Sequence, residues 1–353
     1  MRLLITGGCG FVGSNLAVYF KEKYPLYQVI VLDNLKRRGS ELNIERLKAS
    51  GVTFIHGDIR NKEDIETVGF IDFLIDAAAE PSILAGLNES TDYVINTNLN
   101  GTINCLNYAL KYDAGFIFLS TSRVYPFYKL DEVEYQETTE RFIISNQQII
   151  KGISAFGITT EFPLEGPRSL YGATKLASEL IIQEYMEFLN VKAVINRCGV
   201  ITGPWQMGKV DQGVVVLWLL KHYWKSSLTF NGYGGLGKQV RDILHVHDLF
   251  RLIDIQISAI EKFKGNIYNV GGGLDCSISL LELTSICECL TGNKIVITPV
   301  LENRKADIRL YITDNSKISG ETGWEPLYKP KEIMNEIFDW AMKYETQLKS
   351  ILN

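Results

Sequence analysis

Short β-branched runs alternate with amphipathic stretches through the first half of the chain, the pattern of βαβ units on a parallel sheet. Strands are predicted at Arg2–Thr6, Gln28–Leu32, Thr53–His56, Phe73–Ala77, Gly115–Leu119 and Lys192–Asn196. Helical periodicity fills the gaps near Phe11–Lys23, Glu41–Lys48, Lys62–Val68, Tyr93–Leu110 and Tyr171–Leu189. That leaves one crossover helix per connection, as right-handed parallel links require. After Asn196 the pattern turns mixed, with a glycine-rich stretch Asn231–Gly237, a strand-like Val240–Val246, and helices near Asp248–Ile260, Leu280–Leu290 and Lys331–Leu348. The expected fold class is α/β: a Rossmann doubly wound parallel sheet over 1–197, with 240–265 returning to it, and a smaller interleaved mixed α/β domain from 198–239 and 266–353. The passage 126–170 breaks the pattern, and an aperiodic passage that long inside a compact domain usually serves function.

Composition narrows the class. A chain of 353 residues exceeds the ~150 of one average domain. With 46% hydrophobic and 22% charged residues it has the balance of an ordinary globular enzyme and not of a disordered chain. The formal charge, 36 − 41 = −5, argues against nucleic acid or an anionic membrane as partner, so any anionic ligand must be met by a local cluster of donors. The six cysteines are scattered without a CxxC pair, which suggests buried thiols in a reducing compartment. The chain opens on a strand and glycines with no apolar leader core, and its longest greasy run, Val214 to Leu220, is far short of the ~20 residues that span a bilayer. A cytoplasmic location without a membrane partner is expected.

Gly7, Gly10 and Gly13 follow the first strand and open a helix at Phe11 and Val12. In that context glycines let the chain approach a pyrophosphate, and the helix N-terminus faces it with N–H groups. The spacing alone is equally that of a tight turn. Asp33 ends the second strand twenty residues after Gly13, where a carboxylate accepts from ribose hydroxyls and repels a 2′-phosphate, so NAD is favoured over NADP. Lys36, Arg37 and Arg38 follow closely and pull the other way. Asp58, after the third strand, suits either an adenine amino group or a helix N-cap.

Tyr171 and Lys175 lie four apart on a helix and so share a face. A phenol with a pKa near ~10 is too weak a base at neutral pH, and an adjacent ammonium lowers it. The pair can then take a proton from a sugar hydroxyl, although a solvent-facing Tyr-x-x-x-Lys is the commoner arrangement. Thr121 ends the fifth strand, at the edge where parallel sheets bind ligands, and its hydroxyl could hold a substrate oxygen.

Together with Asn98 and Gly101-Thr102, Ser120-Thr121, Arg241-Asp242 and Asn269-Val270-Gly271-Gly272, these motifs resemble, in order and over nearly the whole chain, the extended short-chain dehydrogenase/reductase family of nucleotide-sugar epimerases and dehydratases. The stretch 56–61, Thr121 before Arg123-Val124-Tyr125, Asp211-Gln212-Gly213 and Gly237 to Asp242 look most like its CDP-paratose 2-epimerase branch, which also carries an insertion before its tyrosine. The resemblance implies Tyr171 as base, Lys175 orienting the ribose and lowering the tyrosine pKa, and Thr121 on the sugar oxygen. It implies NAD contacts at Gly7, Gly10, Phe11, Val12, Gly13, Asp33, Asn34, Asp58, Ile59, Ala77, Ala78, Asn98, Tyr171 and Lys175, and no metal. A nucleotide-sugar, with a CDP-sugar favoured, would meet Glu80, Ser122, Arg123, Gln239, Arg241 and Arg304.

Dehydratases of the family carry Asp-Glu after this threonine, because expelling water needs an acid and a base beside the sugar. Ser122-Arg123 stands there instead, so epimerisation is favoured. Ala77 to Pro81 also departs from the family's His-x-Ala stretch and puts Glu80 near the expected sugar site. Arg241 and Arg304 occupy the family's diphosphate positions, with Lys209 and Arg309 as weaker donors, while His245 and His247 fit a structural role. In an epimerase the cofactor stays bound, and 126–170 would act as a lid. A 4-epimerase, a cofactor-exchanging reductase or dehydrogenase, and a non-catalytic nucleotide-binding protein are the rival functions. The helices near Tyr93–Leu110 and Tyr171–Leu189 are apolar on more than one face, which predicts a homodimer or tetramer.

Overall fold

A computed structural model describes residues 1–87, 90–208 and 213–352. Its main sheet has seven strands: β1 (Arg2–Thr6), β2 (Gln28–Asp33), β3 (Thr53–His56), β4 (Phe73–Asp76), β5 (Gly115–Thr121), β6 (Ala193–Cys198) and β7 (Ile267–Val270). The order is β7-β6-β5-β4-β1-β2-β3, and the pairs β1–β2, β1–β4, β2–β3 and β4–β5 are parallel. This is the expected Rossmann sheet, whose direction of winding reverses between β1 and β4. β5 is buried along its whole length, as a central strand covered by helices on both faces must be.

Two compact units share the chain. Unit 1 is Met1–Val124, Ser169–Arg197 and Leu249–Tyr268. Its helices include α1 (Phe11–Lys23), α2 (Leu42–Ala49), α3 (Lys62–Glu66), α4 and α5 (Leu170–Leu189). Helix α4 runs without a break through Asp92–Ile95, a π-helical turn at Asn96–Asn100, and Gly101–Lys111. One core joins Leu4, Ile30, Leu74 and Phe116 of the sheet to Leu106 of α4 and Ile182 of α5. Ser169 starts α5 by accepting from the Gly172 N–H, and Asn190 ends it in the left-handed region at φ 56°.

Unit 2 is Tyr125–Arg168, Cys198–Asp248 and Asn269–Asn353. It is no smaller than unit 1, because most of the passage 126–170 belongs to it and not to the dinucleotide half, and the segment returning to unit 1 is Leu249–Tyr268. Within unit 2 the passage forms a short helix, Phe127–Asp131, and two hairpins, Tyr135–Glu137 with Phe142–Ile144 and Ile153–Ser154 with Gly157–Ile158. Leu130, Val133, Phe142, Ile158 and Phe162 bury their side chains. Arg309 lies over the rings of Tyr135 and Tyr233, at 4.3 and 5.2 Å, and Arg141 reaches Ser277 and Glu282. The passage thus has secondary structure and core of its own, although its sequence shows no period.

Two further differences, in the C-terminal helix and at Cys289, stand beside one agreement, at Val214. The helix expected over Lys331–Leu348 is two, Pro330–Lys343 and Glu345–Leu352. Val214–Tyr223 is a helix of unit 2, and no helix among the described residues is long and apolar enough to cross a membrane. Cys289 is exposed, unlike the other five cysteines.

Candidate active site

The glycine turn lies between β1 and α1. Gly7 has φ +62°, and a Cβ there would sit 2.8 Å from Ala78 Cα, so only glycine lets the turn lie against Ala77-Ala78. At Gly13 a Cβ would fall 2.4 Å from the Gly7 carbonyl oxygen, which forbids a side chain where α1 folds back on the turn. Around Gly10 such a Cβ would meet, among the described residues beyond its chain neighbours and its own helix backbone, only that same oxygen, at 3.1 Å, so this face of the turn is open. Helix α1 has no side-chain cap at Gly10 and no acid in its first turn, with Phe11 and Val12 half-buried at its head. An open glycine face on an uncapped helix N-terminus fits a dinucleotide's pyrophosphate.

Asp33 accepts from the Cys9 N–H at 2.9 Å and the Leu35 N–H at 2.8 Å, which ties the glycine turn to the end of β2. Burial pushes its carboxyl above the usual range, and these backbone donors oppose the shift. Cys9 itself is inert, because burial and the nearby Asp33 charge push its thiol up to about 12. Asn34 donates to Asp58 Oδ2 at 2.8 Å. Arg60, which the sequence did not single out, holds the same carboxylate through Nε and Nη2 at 2.6–3.1 Å, with its guanidinium 4.9 Å from the centre of the Tyr93 ring. Burial would raise the Asp58 carboxyl, but Arg60 and Asn34 outweigh it and bring it to about 2. Lys36 lies over the same Tyr93 ring at 5.2 Å. The Ile59 side chain is core, 4% exposed, so only its backbone can face a nucleotide.

Asn98 is fully buried in the π turn of α4, a distortion frequent at functional sites. Its amide accepts from the Glu80 N–H at 2.8 Å and donates to the Glu80 carbonyl and to Thr174 Oγ1. The side chain therefore brackets the turn after β4 to the helix bearing Tyr171. Glu80, for its part, accepts from the Ser82 N–H. Asp76, also missed from sequence, is buried between the hydroxyls of Thr6 and Thr102, at 2.7 and 2.8 Å.

Tyr171 is half-buried in the first turn of α5, and Lys175 follows one turn later at 1% exposure, its ammonium 3.9 Å from the centre of the Phe118 ring. Thr121 ends β5 at 8% exposure, and its Oγ1 accepts from the Arg123 N–H at 3.2 Å. Ser122 and Arg123 form the half-buried 3-10 turn that follows. The glycine turn, Thr121, Tyr171 and Lys175 thus all belong to unit 1.

Gln239, Arg241 and Arg304 belong to unit 2. Gln239 Oε1 is buried with no hydrogen-bond partner among the described residues. Arg241 is already engaged by Asp307 at 3.2 Å and by the carbonyls of Val240 and Ile308. Burial lowers its guanidinium pKa, and Asp307 opposes that shift. Arg304 is exposed and has no ion-pair partner among the described residues. Lys209, Asp211 and Gln212 lie outside the described residues. The His245 ring packs on Tyr328 at 4.3 Å, and no three metal-ligating side chains cluster among the described residues.

A family model described as the NAD dependent epimerase/dehydratase family matches residues 3–271. CDP-paratose 2-epimerase of Salmonella typhi is 32% identical, over 97% of this chain and 99% of its own. A dTDP-glucose 4,6-dehydratase from Bacillus anthracis, solved in complex with NAD, is 26% identical with a TM-score of 0.77 over 99% of both chains. A UDP-glucose 4-epimerase from Thermotoga maritima, solved with UDP-glucose, is 25% identical with a TM-score of 0.78 over 98% of this chain and 100% of its own. The chain is a member of the NAD dependent epimerase/dehydratase family, and NAD is its cofactor.

Proposed function

We propose that the chain epimerises a nucleotide-activated sugar, most like the CDP-paratose 2-epimerase it is similar to, by transient oxidation of one ring carbon. One observation carries this choice over dehydration: Thr121, in the same unit as Tyr171 and Lys175, runs directly into Ser122-Arg123, which offers no carboxyl to expel water. NAD, when bound, supplies the acceptor that takes a hydride and returns it to the opposite face of the sugar. The glycine turn and α1 N-terminus hold its pyrophosphate, and Asp33 and Asp58 its adenosine.

Tyr171 takes the proton from the ring hydroxyl and gives it back. The Lys175 ammonium, out of water over Phe118, favours the phenolate it needs. Thr121 already accepts from the Arg123 N–H, so its own O–H is left to donate to the sugar oxygen. Arg304 and Gln239 Oε1 receive the nucleotide's polar groups, and Arg241 joins them by releasing Asp307. Exposed apolar side chains on α5, Leu180, Phe188 and Leu189, support a homodimer.

The test is a CDP-sugar incubated with purified protein and followed by NMR. The expected result is an epimer of equal mass without net NADH, and a fall in kcat of ~10²–10⁴ for Tyr171→Phe. Full activity in Tyr171→Phe, or a product lighter by one water, would overturn the proposal.

A further inference from the structure

The helix that carries Tyr171 and Lys175 is fastened to the sheet by a charge pair that the proposed proton transfer does not use. Glu179 follows Lys175 by one turn of α5, so Tyr171, Lys175 and Glu179 recur at the helical spacing that shares a face. Its carboxylate receives Arg197 of β6, with Nη2 2.7 Å from Oε2 and Nε 3.0 and 3.1 Å from the two oxygens. Oε1 also accepts from the Ser120 hydroxyl, next to Thr121 at the end of β5. Glu179 is 0% exposed, Arg197 3% and Ser120 4%.

An ion pair buried so completely gains little net stability, because desolvation rivals attraction and apolar side chains of similar volume would pack as well. What it adds is geometry. The guanidinium engages both carboxylate oxygens through two of its nitrogens, and the serine hydroxyl adds a third donor on Oε1. A slide or roll of α5 would break these bonds together. The opposite tether, Ser178 Oγ to the Asn98 carbonyl at 3.0 Å, holds the neighbouring side of the same turn to α4.

We propose that Glu179 is a positioning residue: bonded to Ser120 and Arg197, it sets the height and rotation of Tyr171 and Lys175 against Thr121. The inference rests on the epimerase reading for the use made of that geometry.

The test titrates the Tyr171 phenol in NAD-bound protein, as the ultraviolet difference between each protein and its own Tyr171→Phe counterpart. The variants are Glu179→Gln, which keeps the size, and Glu179→Leu with Arg197→Met, which leaves no charge unpaired if the single variant does not fold. Folded, NAD-retaining variants should show the Tyr171 midpoint raised by about one unit, and kcat on a sugar nucleotide lowered ~tenfold with KM little changed. An unchanged midpoint in a folded variant, or a wild-type Tyr171 that titrates like free tyrosine, overturns the proposal. Wild-type protein inactive on every sugar nucleotide contradicts the epimerase reading alone, since the titration needs no substrate.

Discussion

Asp58 shows how neighbours decide what one carboxylate can do. Sequence placed it beside adenine or at a helix start, but not the arginine two residues on that closes over it. With its folded pKa near 2, below the unfolded value, its contribution to stability is present above the ordinary carboxylate pKa and fades as pH falls through about 2. Arg60→Ala should move the Asp58 titration upward, read by carboxyl NMR, and weaken NAD binding several-fold in calorimetry; an unmoved Asp58 would show that Asn34 suffices. Arg241 presents the converse, because Asp307 occupies the guanidinium expected to hold a diphosphate. Asp307→Asn should lower KM for the nucleotide-sugar a few-fold without changing kcat, whereas a higher KM would make Asp307 part of the binding surface. In unit 2, burial, with His247 adding repulsion, pushes His245 down to about 4. Glu336 lies 3.3 Å from its Nε2 but is 43% exposed and solvent-screened, so burial prevails. The unfolded histidine binds its proton first on acidification. Stability carried by neutral His245 is therefore complete above about pH 6.5 and declines from there towards 4. Thermal melts across that window should show the decline, reduced in His245→Asn.

At the scale of elements, what the sequence revealed follows from where apolar residues fall. β1, β2, β4, β5 and β6 are largely buried runs bounded by polar turns, and a buried run is a strong local signal for a strand. β3, at the sheet edge, has no buried residue and is marked by its β-branched Thr53 and Ile55. β7 was not legible because four residues that lead straight into Gly271 to Gly273 look like part of a turn. The π turn of α4 could not be read either, since one extra residue in a helix leaves its apolar stripe nearly intact. The sequence leads one to expect a cofactor contact at Asn98, whereas its place inside the fold depends on Glu80 and Thr174, which are remote in sequence. Asn98→Ala should remove both side-chain bonds to Glu80's peptide groups and cost ~1–3 kcal/mol in denaturant unfolding; a neutral effect would mean that the bracket is dispensable. Ser120, Glu179 and Arg197 illustrate the same limit, since each is unremarkable alone and becomes a clamp only when β5, β6 and α5 meet. The passage 126–170 was legible as an exception and not as core, because its hairpins are too short to show a period.

For the whole molecule, the net charge of −5 counts against polyanion partners and says little about a nucleotide-sugar, whose donors are few and local. The residues of the proposed site divide between the units: the glycine turn, Thr121 and the Tyr171–Lys175 pair belong to unit 1, and Gln239, Arg241 and Arg304 to unit 2. Ligand binding to the folded state alone raises its stability, by ~2.7 kcal/mol at a hundredfold excess over Kd, so saturating NAD should raise the melting temperature. Epimerisation by transient oxidation makes its sharpest demand on one hydrogen atom, the one that leaves the inverted carbon and comes back. The most direct measurement supplies a CDP-sugar deuterated at C2 and follows it by NMR. Transient oxidation with hydride return predicts a product of inverted configuration that keeps its deuterium at the same carbon. Inversion with the deuterium replaced by solvent hydrogen would contradict it.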